Sequence, residues 1–192
     1  MRFILLFTAA YIAGSINVSI GLFRILGRED PRARFSGNPG ATNVYRQAGL
    51  GWAVGVLILE MGKAVSLAFV ALSILPLYQV PWIGLGLIIG NRLPCFHRFR
   101  GGKGVANYLG FVLALSPLSC GIGMILWLTA YGATRQPFIG SFMMVMVLAI
   151  GTLARCGTDG MAVAGTLLTA GIIYYAHKKN VRELIAGYRD QQ

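Results

Sequence analysis

Acidic residues are few in this chain of 192 residues: 6 Asp and Glu oppose 17 Lys and Arg, a net charge of +11. Histidine is scarcer still, at 2 residues, His97 and His177. With so few carboxylates and imidazoles, no Ser/His/acid set stands at a workable spacing and no cluster of metal ligands forms along the sequence. The 3 cysteines, Cys95, Cys120 and Cys156, have no CxxC spacing and no histidine at ligand spacing, which argues against a zinc motif and a disulfide framework. A GxxxxGK(S/T) stretch is missing, so a nucleotide-hydrolysing loop of that type is unsupported. Neither a metal nor an organic cofactor is expected. Internal repeats and low-complexity linkers are also lacking, and residues 1–192 read as one domain.

Apolar residues are abundant instead. They make up 56% of the chain, charged residues 12%, and the mean hydropathy is +0.66, which is too apolar for a soluble domain of this length. A soluble protein this basic would suggest nucleic-acid binding. Here the cations sit in short segments between long apolar runs, so membrane lipid is the expected surrounding and no nucleic acid is expected. The runs cover residues 3–23, 52–75, 81–89, 105–115, 118–131, 138–153 and 161–176. A full span needs about 20 residues, so the third, fourth and fifth runs are short. Short runs broken by Gly and Pro suit irregular backbone buried inside a bundle, and Ser116-Pro117 divides two of them. The expectation is an all-α polytopic membrane helix bundle of about seven transmembrane segments, some short or broken.

With the 24–50 loop placed in the cytoplasm and sides alternating after it, the basic residues sort. Inside fall Arg24, Arg28, Arg32, Arg34, Arg46, Arg92, Arg98, Arg100, Lys103, Arg135, Lys178, Lys179, Arg182 and Arg189. Outside remain Arg2 and Arg155, and Lys63 lies within a span. This asymmetry predicts an external amino terminus and a cytoplasmic carboxyl terminus. Residues 1–15 also carry a signal-peptide pattern, Arg2 before an apolar stretch and then Ala13-Gly14-Ser15. Cleavage there would orient the remainder against the charge pattern, so the stretch is read as the first span.

Three polar segments and one ion pair carry the candidate chemistry. In Ser36-Gly37-Asn38-Pro39-Gly40-Ala41-Thr42-Asn43-Val44-Tyr45-Arg46 the Asn-Pro-Gly turn frees backbone N–H groups, and Arg46 adds a fork suited to phosphate or carboxylate. The same composition also suits an interfacial loop capping the second helix. Around Lys103, Gly101, Gly102 and Gly104 precede an apolar helix, an arrangement that gathers amides and an ammonium on an anion or anchors the loop on the positive side. Glu60 and Lys63, three apart in a span, form a structural ion pair or the floor of a cytoplasmic cavity. Past the last span, His177 and Asn180 share a helix face at i, i+3, within what otherwise reads as a membrane-exit basic cluster. His97 is read as a loop histidine without a role.

Taken together these segments resemble the acyl-phosphate-dependent glycerol-3-phosphate acyltransferases, small bacterial membrane enzymes that begin phospholipid synthesis. Residues 36–46 look like that family's first motif, Phe99-Arg100-Gly101-Gly102-Lys103-Gly104-Val105-Ala106 resembles the second, and residues 177–182 resemble its terminal His-x-x-Asn segment. The resemblance implies a seven-helix bundle in the cytoplasmic (inner) membrane of a bacterium. It implies transfer of a fatty acyl group from acyl phosphate to the 1-hydroxyl of glycerol 3-phosphate, giving lysophosphatidic acid. A soluble enzyme that makes acyl phosphate is an expected partner by the same analogy. The implied catalytic set is Ser36, Arg46, Lys103, His177 and Asn180. Gly37, Asn38, Gly40, Thr42, Asn43, Gly101, Gly102, Gly104, Ser141, Lys63 and Glu60 are the implied substrate-binding residues. This chain departs from the family in four places: Asn91 replaces a histidine, Arg100 a lysine and Glu60 an aspartate. In the fourth, the serine-rich third motif survives only as Arg135-Gln136-Pro137-Phe138-Ile139-Gly140-Ser141. Two other readings stay open. One is a member that has lost the reaction and binds lipid or a partner; the other is a transporter of a small phosphorylated solute.

Overall fold

The computed structural model describes residues 1–189, and every apolar run in it is helical, with no strand among the described residues. The run over 3–23, expected as one span, is two helices, α1 (Arg2–Ser15) and α2 (Val18–Ile25), meeting at a bend of 41°. Asn17 makes the break. Its backbone is extended, and its side chain accepts a hydrogen bond from the Ile20 N–H at 3.1 Å, capping α2. A break buried in a bundle leaves backbone groups that lipid cannot satisfy. The ion pair in the next span takes them: Glu60 Oε1 accepts from the Val18 N–H at 2.9 Å, and Lys63 Nζ donates to the Ile16 carbonyl at 2.6 Å.

The 24–50 segment, read from sequence as a loop, contains a further helix, α3 (Ala41–Ala48), followed by α4 (Leu50–Ile74). Gly49 separates them at φ +88, a backbone conformation that residues with a side chain rarely adopt. The remaining helices are α5 (Val80–Arg92), α6 (Val105–Leu115), α7 (Pro117–Thr134), α8 (Pro137–Cys156) and α9 (Gly160–Ala176). The basic cluster after His177 lies on helix α10 (Lys178–Arg189). Proline opens both α7 and α8, where its missing N–H goes unneeded.

Helices α4 and α8 are each long and apolar enough to cross a membrane, as is the bent α1–α2 pair taken as one span. The short helices α5 and α6 lie innermost. Leu87, Val80 and Phe111 join α1 and α4 in one core, while Ile88, Tyr108 and Val112 join α8 and α9 in another. At 11 to 13 residues these helices rise only about 17 to 20 Å. Burial by neighbours, rather than length, lets them sit at membrane depth. Close backbone contact draws α1 against α5: a Cβ on Gly14 would lie 2.1 Å from the Leu87 carbonyl oxygen, and one on Gly90 would lie 2.0 Å from that of Tyr11. Large apolar side chains such as Ile58, Phe69, Ile125, Leu128 and Ile150 remain exposed on α4, α7 and α8, as lipid-facing surfaces require.

Candidate active site

The two glycine-bearing loops are pinned to each other before either meets a ligand. Arg32 is clamped by Asp30, whose carboxylate accepts from Arg32 Nε at 2.9 Å, and its Nη1 donates to the carbonyls of His97 at 3.1 Å and Arg100 at 2.6 Å. Hydrogen bonding from Arg32 holds the Asp30 carboxyl below its usual range, so this staple keeps its charge through neutral pH. Asn43 folds residues 31–40 back over α3, its amide donating to the carbonyls of Pro31 at 2.7 Å and Arg34 at 3.3 Å.

In the second loop Arg98 and Phe99 both take positive φ, and the chain then returns along the end of α5. The Gly101 N–H donates to the Arg92 carbonyl and the Gly102 N–H to that of Asn91. A Cβ on Gly101 would lie 1.9 Å from the Asn91 carbonyl oxygen, so only glycine fits. Gly104, at φ +85, then starts α6, whose amino terminus has no side-chain cap. Orphan amides of this kind favour an anion.

One cavity of about 630 Å³ opens between these loops and helices, a size typical of small-molecule sites. All five residues of the expected catalytic set line it: Ser36, Arg46, Lys103, His177 and Asn180. They come from the first loop, α3, the second loop, the α9–α10 joint and α10. Asn38, Gly40, Thr42, Asn43, Glu60, Gly102, Gly104 and Ser141 line it as well, whereas Gly37, Gly101 and Lys63 do not. Gly101 serves the packing of its loop. Lys63 is spent on the Ile16 carbonyl and on Glu60, 2.7 Å away.

Lys103 Nζ donates to Asn180 Oδ1 at 2.5 Å. Burial brings its pKa down to about 8; Glu183 works against that shift, and Arg92, Arg46 and Lys179 add to it. Three of those neighbours are cations and belong to separate segments, so the cavity gathers positive charge that an anion would relieve. His177 is 2% exposed. Burial, with Lys103 second, lowers its pKa to about 4, so the ring is neutral at pH 7. Its Nδ1 lies 2.9 Å from the Ile173 carbonyl. A neutral imidazole in that position carries its proton on Nδ1 and leaves Nε2 as an acceptor.

Glycerol-3-phosphate acyltransferase is the description of the family model that matches residues 4–187. The chain belongs to that family. Similar glycerol-3-phosphate acyltransferases include one from Pseudomonas aeruginosa (strain LESB58), 36% identical over 184 residues that cover 95% of this chain and 96% of the relative. Another, from Anaeromyxobacter sp. (strain Fw109-5), is 38% identical over 191 residues, covering 96% and 93%. The fold is similar to the crystal structure of PlsY, an integral membrane glycerol 3-phosphate acyltransferase, in its glycerol 3-phosphate form. The TM-score is 0.89 at 29% identity, covering 97% of this chain and 94% of that one. The lysophosphatidic acid form of the same enzyme gives 0.86 at 28% identity, covering 97% and 93%.

As a member of the acyltransferase family, this chain carries cavity residues that sequence reasoning missed or read only as departures. Asn91, expected from the resemblance to stand for a histidine, is 3% exposed and lines the cavity beside Gly102. Asn107 on α6, 2% exposed, lines it too and had no motif to flag it. Trp127 on α7 forms part of the wall, its Nε1 donating to Ser141 Oγ at 3.3 Å while that hydroxyl donates to the Pro137 carbonyl at 3.0 Å. Among the described residues no group of three His, Cys, Asp or Glu is placed to hold a metal ion.

Proposed function

We propose that this chain transfers a fatty acyl group from acyl phosphate to the 1-hydroxyl of glycerol 3-phosphate, releasing phosphate and giving lysophosphatidic acid. It does so as a single seven-span domain in the bacterial cytoplasmic membrane, with its amino terminus outside and its site facing the cytoplasm. The observation that carries this reading is that Arg46, Lys103, His177 and Asn180, from separate segments, line one cavity together with a glycine-rich helix start. That cavity also reaches apolar wall residues Met124, Trp127 and Leu128 on α7, of which Met124 and Leu128 are exposed.

Acyl phosphate is a mixed anhydride and is already activated, so the protein has two tasks: to hold two anions side by side and to stabilise charge on the carbonyl oxygen. Lys103 and the uncapped amides at the start of α6 hold a phosphate. Arg46 offsets the charge developing on the carbonyl oxygen and the leaving phosphate, and Asn180 fixes the Lys103 ammonium. Ser36, Thr42 and Asn43 offer neutral hydrogen bonds around the acceptor. The 1-hydroxyl oxygen attacks the acyl carbon, the bond from that carbon to the phosphate oxygen breaks, and the hydroxyl proton leaves to a base. His177, with a pKa of about 4, is a weak base at neutral pH. A substrate phosphate, which takes up a proton near pH ~6, suits the task better.

Purified protein in vesicles, given palmitoyl phosphate and labelled glycerol 3-phosphate, is expected to form lysophosphatidic acid. Lys103→Ala is expected to cut the rate by about 100-fold or more, the scale of losing one preorganised charge contact at a reacting centre. No product with any acyl donor would turn the reading toward a lipid- or partner-binding role. Solute accumulating in sealed vesicles without product would turn it toward transport.

A further inference from the structure

Three asparagines that line this cavity each carry a buried side-chain oxygen without a partner: Asn43 Oδ1, Asn91 Oδ1 and Asn107 Oδ1. Asn107 is the one held by a charged group. Its Nδ2 donates to Glu60 Oε2 at 2.8 Å, and a carboxylate only accepts, so the nitrogen is fixed on that side and the oxygen on the other. Glu60 in turn is locked by the Val18 N–H at 2.9 Å and by Lys63 at 2.7 Å. A helix break, an ion pair and an amide therefore form one rigid chain ending in an acceptor. Donation to a carboxylate polarises the amide and makes its oxygen a stronger acceptor.

Almost everything the proposed substrates bring to this cavity also accepts. Phosphate oxygens, the acyl carbonyl and the bridging oxygen have no proton to give near neutral pH. Hydroxyls do, and glycerol 3-phosphate has two. The 1-hydroxyl must pass its proton to a base as it attacks, and an amide oxygen cannot take that proton. The secondary hydroxyl is under no such demand.

Resting on the acyltransferase reading, we infer that Asn107, oriented by Glu60, accepts a hydrogen bond from the 2-hydroxyl of the acceptor substrate. It thereby selects a glycerol backbone over a plain hydroxyalkyl phosphate. A buried acceptor left unpaired by the wrong substrate is the kind of contact that discriminates strongly.

The test compares glycerol 3-phosphate with 3-hydroxypropyl phosphate, which lacks that hydroxyl, as acyl acceptors for wild type, Asn107→Ala and Glu60→Gln. Wild type is expected to favour glycerol 3-phosphate by about 10- to 100-fold in kcat/KM. Asn107→Ala is expected to lose that preference by slowing glycerol 3-phosphate while changing the analogue less than about 3-fold. Glu60→Gln, whose amide lets Asn107 turn either way, is expected to erode the preference partly. Equal use of both acceptors by wild type overturns the inference before any variant is made. An equal fall for both acceptors in Asn107→Ala overturns it too, since loss of packing does not distinguish them. Equilibrium binding of the two phosphates to the same proteins gives the preference without turnover. Wild type that binds glycerol 3-phosphate selectively yet acylates neither acceptor would sink the acyltransferase reading and leave Asn107 as the selector.

Discussion

Burial disfavours the Lys103 ammonium and brings its pKa to about 8, which ties binding of an anion to pH near the physiological range. Below about 8 the side chain is charged, the form that the proposed phosphate contact requires. Above it the charge is lost, so kcat/KM for glycerol 3-phosphate is expected to fall as pH rises through that value. Glu183 lines the same cavity and favours the charged form. Glu183→Gln is therefore expected to move the alkaline limb toward lower pH, and a limb that stays in place would detach Lys103 from it. The unfolded-state value is higher, 10.5, so from about 8 to 10.5 the unfolded chain binds more protons than the folded one. Stability of the substrate-free protein is expected to rise with pH across that window, a trend thermal unfolding in detergent would read. Residues at this scale were legible when they belonged to a motif, as Arg46, Lys103 and Asn180 did. Asn107 was not, because a single amide inside an apolar helix has no spacing to announce it. Lys63 was placed beside Glu60 by the i, i+3 rule, but its backbone partner lies 47 residues away and no local pattern points there.

Helices show the same division between what period reveals and what distant partners decide. All seven apolar runs became helix, yet the break at Asn17 is hidden in hydropathy because Ile16 and Val18 keep the run apolar around one capping residue. Helix α3 was missed for the opposite reason. Its eight residues, ATNVYRQA, are too polar to register as a span, and their amphipathic face is set by burial of Val44 against Phe23 and Val56. The α1–α2 break depends on Glu60 and Lys63. Removing the cation alone with Lys63→Met strands a buried carboxylate and frees the Ile16 carbonyl, an expected loss of about 3 to 5 kcal/mol seen as a lower unfolding temperature in detergent. Lys63→Met combined with Glu60→Gln is expected to recover part of that loss, because an amide there is no longer an unpaired charge. A double variant no better than the single one would mean that the ammonium's bond to Ile16, not the ion pair, carries the effect.

At the scale of the whole molecule, the charge pattern predicted that Arg46, Lys103 and the basic tail share one side, and the cavity brings those segments together. What the pattern could not convey is how the short runs manage at membrane depth. That follows from α5 and α6 being enclosed by α1, α4, α8 and α9, a property of packing and not of composition. Which way the assembly faces is a separate matter, and the cysteines offer a direct reading of it. Cys95, in the second loop, is exposed, while Cys120 and Cys156 are buried. With the second loop in the cytoplasm, a membrane-impermeant maleimide is expected to label the chain in inverted vesicles and to spare it in intact spheroplasts. Cys95→Ser is expected to abolish the labelling, which fixes the signal to that loop. Labelling from the outer face would invert the orientation and put the proposed phosphate-binding cavity on the wrong side of the membrane for substrates made in the cytoplasm. The proposed orientation of the bundle therefore stands or falls on one thiol.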